Sequence, residues 1–204
     1  LNPDENRGVH ATLITGGCRS GKSRHAQRLA ERVPGGKRCY IATCVPQDAE
    51  MRRRVERHQA ERGADWQTVE EPIQIAGAIE AHSPRANVIL VDCLTLWISN
   101  LMGAGHEMEA VVASANALAA SVARSVCPLI LVTNEVGAGI VPENALARAF
   151  RDTAGLVNQI VAAACDRVIW TLAGIPVQIK PSNGGGPPPA GGTPPAGGVH
   201  GGGA

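Results

Sequence analysis

The sequence predicts an α/β protein, a three-layer sandwich around a mostly parallel sheet. Three observations predict it. Short apolar, β-branched runs recur without polar alternation, the pattern of strands buried on both faces of a parallel sheet. Helical stripes lie between those runs. The first run feeds a glycine-rich loop, GGCRSGKS, that opens a helix.

In chain order, Ala11–Thr15 (ATLIT) reads as the first strand. Ser23–Val33 follows as a helix with Ala26, Leu29, Ala30 and Val33 on one side. Arg38–Thr43 (RCYIAT) is the next strand, and Asp48–Gly63 (DAEMRRRVERHQAERG) is a charged helix. Asn87–Asp92 (NVILVD), Pro128–Thr133 (PLILVT) and Arg167–Leu172 (RVIWTL) are further strands, with Pro176–Ile179 as an edge. One long stripe runs from Met108 to Val126. Another runs from Leu146 to Ala164, opened by Pro142 near its first turn. Alternating strands and helices imply right-handed crossovers.

The 204 residues divide into three parts. Residues 1–10 form a polar arm. Residues 11–180 form one domain of ordinary size. Residues 181–204 form a Gly/Pro-rich tail without a charged side chain, expected to be disordered because it has almost no apolar side chain to repay ordering. The net charge of +1 and 2% aromatic content argue against a nucleic-acid binder. No run approaches the roughly 18 apolar residues of a membrane span, and the opening does not read as a signal peptide. Six scattered cysteines without CxxC spacing read as small buried hydrophobes rather than disulfides or zinc ligands. A cytoplasmic location is expected.

Gly16-Gly17-Cys18-Arg19-Ser20-Gly21-Lys22-Ser23 fits G-x-x-x-x-G-K-[ST] at every defined position. The glycines let successive backbone N–H groups point at phosphate oxygens, and the helix N-terminus adds its positive end. Lys22 is expected at the β/γ-phosphates and Ser23 on Mg²⁺. The competing reading is a glycine-rich turn with a chance lysine, which the flanking strand and helix disfavour. Asp92 closes the apolar run VILVD and is the candidate second Mg²⁺ group; the alternative is an ordinary turn-capping aspartate.

Met51, Val55 and His58 fall at i, i+4 and i+7, and seven residues return to within roughly 20° of the starting direction. His58 therefore shares the apolar stripe, one turn from Arg54 and from Arg62. Two readings follow from that spacing. One is a packing histidine on a solvated, salt-bridged helix. The other is a neutral imidazole nucleophile among phosphate-binding guanidiniums.

The strings ITGGCRSGKSRHAQRLA, YIATC, DAEMRRRVERHQAERGADWQTVEEP, VDCLTLWISNL and TNEVGAGIVPENALARAFRDTAGLVNQ occur in that order. Together they resemble the bifunctional adenosylcobinamide kinase / adenosylcobinamide-phosphate guanylyltransferases of cobalamin biosynthesis, from Leu13 to Lys180. The resemblance implies a RecA-like fold, a homotrimer with sites partly between subunits, and two reactions. ATP or GTP phosphorylates the aminopropanol hydroxyl of adenosylcobinamide. GTP then gives its GMP to a histidine, from which adenosylcobinamide phosphate takes it to form adenosylcobinamide-GDP. It implies His58 as that histidine. It also implies nucleotide contacts at Gly16–Ser23, Thr43, Cys44, Val45, Gln59, Ala60, Glu61, Arg62, Glu70 and Asp92, with Mg²⁺ on Ser23 and Asp92. Cys18 departs from the family's usual alanine at a position that presents mainly backbone.

Rival readings lack their signatures. A regulatory GTPase should carry N-K-x-D and D-x-x-G; this chain has Thr133-Asn134-Glu135-Val136 and Asp92-Cys93-Leu94-Thr95. A nucleic-acid motor lacks its basic, aromatic surface. A kinase-only homologue would have no use for His58, Arg62 and Glu70.

Overall fold

The computed structural model describes residues 9–46, 49, 53 and 62–181. Its elements are β1 (Ala11–Gly16), α1 (Lys22–Glu31), β2 (Arg38–Ala42), β3 (Trp66–Glu70), α2 (Ile75–His82), β4 (Val88–Asp92), α3 (Leu94–Gly103), α4 (Met108–Arg124), β5 (Leu129–Val132), α5 (Ala145–Ala164), β6 (Arg167–Leu172) and β7 (Ile175–Lys180). The seven strands form one sheet in the order β3-β2-β4-β5-β1-β6-β7. All neighbouring pairs are parallel except β6–β7.

Strand alternation sorts the apolar residues onto two faces. Leu13, Cys39, Ile41, Ile89, Val91, Leu129, Leu131 and Val168 face the cluster contributed by α2, α3, α4 and α5. Ile14, Tyr40, Ala42, Leu90, Ile130, Val132 and Ile169 face the cluster that includes Ala26, Leu29 and Ala30 of α1. Because both faces are covered, the central strands lack the polar half of an amphipathic pattern. The layers are unequal: α1 is the one described helix packed on the second face.

Three elements are absent from the sequence reading. β3 is an edge strand with Gln67 and Glu70 exposed and no residue fully buried, so WQTVE carries little apolar signal. α2 is eight residues long and buries Ile75 and Ile79. α3 buries Leu94, Thr95, Trp97, Ile98 and Leu101, and a helix so apolar shows little 3.6-residue contrast. Two boundaries also change. Pro142 lies before α5 rather than in its first turn, because the Asn144 side chain accepts from the Ala147 N–H at 3.0 Å and caps the helix there. Arg62 and Gly63 are not helical, although Ala49 and Arg53 are; the rest of the expected charged helix, residues 1–8 and residues 182–204 lie outside the described residues.

β6 and β7 meet at a tight hairpin. Ala173 (φ 50°) and Gly174 (φ 83°) both take positive φ, the backbone of a two-residue hairpin turn matched to strand twist. Lys180 ends β7 by donating to the carbonyl oxygens of Ala162 (2.9 Å), Ala163 (3.2 Å) and Cys165. A cation thus satisfies the last carbonyls of α5, at the helix's negative end.

Candidate active site

The C-terminal ends of the parallel strands bring the expected residues to one edge, where ligands of open α/β sheets bind. Gly16 ends β1, Thr43 follows β2, Glu70 ends β3, Asp92 ends β4 and Thr133 follows β5. Alternation from Tyr40, Leu90 and Ile14 puts Asp92 on the same face of the sheet as α1.

The Gly16–Ser23 loop is bent as phosphate cradles require. Gly21 has φ 93° at the N-cap of α1, and Arg19 takes φ 55°, an uncommon conformation for a residue with a side chain. A Cβ on Gly16 would stand 2.4 Å from the carbonyl oxygen of Thr171, so β6 leaves room only for glycine. The hairpin braces the loop from below through the Gly174 N–H, which donates to Ser20 O at 3.0 Å. The Glu135 N–H donates to Gly16 O at 3.1 Å from the other side. Gly17, Cys18 and Arg19 are exposed while Ser20 and Lys22 are buried. Ser20 Oγ is buried without a hydrogen-bond partner. Lys22 Nζ donates to Gly17 O at 3.1 Å and lies close enough to Cys93 to favour its thiolate electrostatically.

Around Asp92 the structure supplies contacts that the sequence does not announce. Tyr40 Oη donates to Asp92 Oδ2 at 3.2 Å. Burial, with the Asp92 carboxylate beside it, holds the Tyr40 phenol well above its usual pKa, so it remains a donor. The Asp92–Cys93 peptide is cis. The buried Thr43 hydroxyl donates to Cys93 O and accepts from Cys93 N, each at 2.8 Å. Asn100 Nδ2 donates to Thr43 O (2.7 Å) and Pro72 O (3.1 Å), and Trp97 Nε1 donates to Ile73 O at 2.7 Å. One face of α3 therefore fastens the segments that follow β2 and β3. A second polar network seats the segment after β5. Thr95 Oγ1 accepts from Asn134 N at 2.7 Å, and Thr133 Oγ1 donates to Asn158 Oδ1 at 2.8 Å.

Thr43 is buried, Cys44 half-buried and Val45 exposed, a sequence running from the sheet to the open edge. Glu70 is exposed at the tip of β3. The Arg62 guanidinium carbon lies 3.6 Å from the centroid of the Tyr40 ring. His58, Gln59, Ala60 and Glu61 lie outside the described residues.

Among the described residues no group of three or more His, Cys, Asp or Glu side chains converges as a metal site. The edge offers the Ser23 hydroxyl and the Asp92 carboxylate. Asp92 accepts from Tyr40 at Oδ2. Such a donor set fits Mg²⁺ carried in with nucleotide phosphates, since that ion keeps several waters and takes one or two protein oxygens. No described helix is long and apolar enough to cross a membrane.

A family model described as cobinamide kinase / cobinamide phosphate guanyltransferase matches residues 12–179. The bifunctional adenosylcobalamin biosynthesis protein CobP of Pseudomonas aeruginosa is 42% identical over 168 residues, which cover 82% of this chain and 96% of that protein. The bifunctional adenosylcobalamin biosynthesis proteins CobU of Salmonella typhimurium and Escherichia coli are 42% and 41% identical over 180 residues, covering 82% of this chain and 98% of each.

Proposed function

Because the chain belongs to the cobinamide kinase / cobinamide phosphate guanyltransferase family, we propose how its residues divide two reactions between the Gly16–Ser23 loop and the segment around His58. The chain is a bifunctional enzyme of adenosylcobalamin biosynthesis, phosphorylating cobinamide and guanylylating the cobinamide phosphate. The observation that supports the division is the arrangement of the edge. Lys22 and Asp92 stand at its centre, and Arg62 enters from beside β2 on the same face.

In the kinase step the loop N–H groups and Lys22 hold the β- and γ-phosphates of ATP or GTP. The aminopropanol oxygen of adenosylcobinamide attacks the γ-phosphorus, and the bond to the β-phosphate oxygen breaks. Ser23 and Asp92 are the residues that would hold Mg²⁺, which supplies charge neutralisation on the phosphates. In the second reaction a neutral His58 nitrogen attacks the α-phosphorus of GTP and pyrophosphate leaves. An oxygen of adenosylcobinamide phosphate then displaces the histidine, giving adenosylcobinamide-GDP. Thr43, Cys44, Val45, Gln59, Ala60, Glu61, Arg62 and Glu70 contact the nucleotide in this reading. Arg62 stabilises phosphate charge bidentately.

The deciding experiment uses GTP labelled at the α-phosphate. The wild-type protein should retain label that acid releases and base does not, the behaviour of a phosphoramidate. His58→Asn should retain none and should lose guanylyl transfer while still phosphorylating cobinamide. Acid-labile label on His58→Asn would assign the carrier elsewhere.

We also propose a cytoplasmic homotrimer. The number three is what the family resemblance implies; self-association itself is supported by an apolar stripe on β6 and β7, where Trp170, Leu172, Ile175, Val177 and Ile179 are 38–64% exposed. Contiguous apolar surface of this kind marks interfaces. Sedimentation analysis at micromolar concentration checks the assembly, and a monomer throughout would reject it.

A further inference from the structure

Tyr40 lies between the two halves of the site without belonging to either. Its ring sits on the α1 face of the sheet, 9% exposed. On one side it carries the Arg62 guanidinium at 3.6 Å. On the other its hydroxyl reaches Asp92 at 3.2 Å. Trp66 packs edge-on against it, with ring centroids 6.3 Å apart and planes at 75°. A phenylalanine or leucine would fill the same slot in the core. The hydroxyl is therefore notable for its partner, the carboxylate that ends β4.

Arg62 strengthens the case. Its Nε is buried and has no hydrogen-bond partner. Its one described side-chain hydrogen bond is a long one, from Nη2 to Thr68 Oγ1 at 3.5 Å. No ion pair links it to an acid among the described residues. The ring face of Tyr40 supports it through the attraction of a cation for a π face. Thr68 is the direct neighbour of Tyr40 across the β2–β3 pair, so Arg62 is laid over two strands at once.

We propose that Tyr40 is a positioning residue that couples the two reactions: its hydroxyl fixes the rotamer of Asp92 and its ring seats Arg62 at the end of the His58 segment. The proposal rests on the reading that the nucleotide phosphates and Mg²⁺ meet Lys22 and Asp92. With Oδ2 held by Tyr40, Asp92 would have Oδ1 to offer to a metal. Outer contacts of that kind typically carry about ten-fold or more in metal affinity. Seating Arg62 fixes a guanidinium that would meet the phosphates, and misplacing such a group by about 1 Å can cost up to the order of 10²-fold in rate.

Tyr40→Phe and Tyr40→Leu separate the two contacts. The probe is α,β-methylene GTP, whose carbon bridge His58 cannot cleave, titrated calorimetrically with and without Mg²⁺. Tyr40→Phe should bind the analogue normally without Mg²⁺ and lose about ten-fold of the affinity that Mg²⁺ adds. Its labelling by α-labelled GTP should need more Mg²⁺ but reach the wild-type rate at saturation. Tyr40→Leu should show the same Mg²⁺ defect and, at saturating Mg²⁺, label about ten-fold more slowly than Tyr40→Phe, with equal kinase rates in the two variants. Unchanged Mg²⁺ dependence in Tyr40→Phe, which keeps the ring and the fold, would overturn the proposal and leave Tyr40 a packing residue. Lys22→Ala distinguishes that outcome from failure of the underlying reading. If Lys22→Ala binds the analogue as tightly as wild type, the nucleotide is not on the loop and the proposal falls with it.

Discussion

The ammonium of Lys22 is hydrogen-bonded to the carbonyl oxygen of Gly17 at 3.1 Å, across the loop that both residues help to form. The lysine thereby points back over its own cradle rather than along α1. Lys22 is buried, so few other orientations are open to the head.

Lys22→Ala tests that placement. The substitution keeps helix propensity at the first position of α1 and removes one hydrogen bond, so the melting temperature should change little. Removing preorganised charge at a phosphoryl group costs on the order of 10²–10³ in rate. Cobinamide phosphorylation should fall by that factor in a coupled assay. A near wild-type rate would place the triphosphate elsewhere.

Much of the fold was legible because the central strands are buried on both sides. ATLIT, VILVD and LILV carry their signal in every residue, and the loop after the first run reports strand and helix at once. β3 was not legible because an edge strand buries little, and α3 was not because Trp97, Ile98 and Leu101 belong to a helix apolar on most of its surface. In the site, the loop and Asp92 could be read from spacing. His58 could not be separated from a packing histidine without the resemblance. Tyr40 and Asn100 sat inside quoted strings, yet no spacing rule marks them. Their roles come from neighbours 52 and 57 residues away in sequence.

Asn100 is the clearest of these. Its side-chain amide ties Thr43 O to Pro72 O and so holds together the segments that follow β2 and β3 at the C-terminal edge of the sheet. Asn100→Leu leaves both carbonyls without that donor, and each buried unsatisfied group costs about 1–3 kcal/mol. The variant should melt several degrees lower. Its KM for GTP should rise more than its kcat falls, because the segments that bind are loosened while Lys22 stays in place. Equal loss in kcat with unchanged KM would show that Asn100 acts on the chemistry instead.

The contacts of Lys180 predict where the chain can be shortened. Its Nζ serves three carbonyls at the end of α5, contacts that are lost if the chain ends at Ile179. A chain ending at Lys180 should keep the wild-type melting temperature and both activities. One ending at Ile179, or Lys180→Met in the full chain, should lose about 1–2 kcal/mol, the scale of charge-assisted contacts at a helix C-terminus. Chemical denaturation reads the difference. A stability loss on removing residues 181–204 alone would mean that the tail docks on the body.

The cysteines provide a label for the loop. Burial pushes the Cys39 thiol up to about 11 and the Cys165 thiol up to about 12, and raises that of Cys127. Burial, with Asp92 adjacent, pushes Cys93 up to about 11. The thiolate is the nucleophile, so a raised pKa keeps these four groups protonated and unreactive at pH 8, and burial also denies a reagent access. Cys18 is exposed at the crest of the phosphate loop. Brief treatment with iodoacetamide at pH 8, followed by peptide mass mapping, should find Cys18 modified well before Cys39, Cys93, Cys127 and Cys165. Mg²⁺ and GTP should slow that reaction several-fold, because a bound triphosphate covers the loop, and carboxamidomethylated protein should lose nucleotide affinity. Cys18→Ala should keep both activities and lose the fast phase of inactivation, leaving only the slower phase expected from the half-buried Cys44. Were Cys18 labelled at the same rate with saturating GTP as without it, the phosphates would not be lying across Gly16–Ser23.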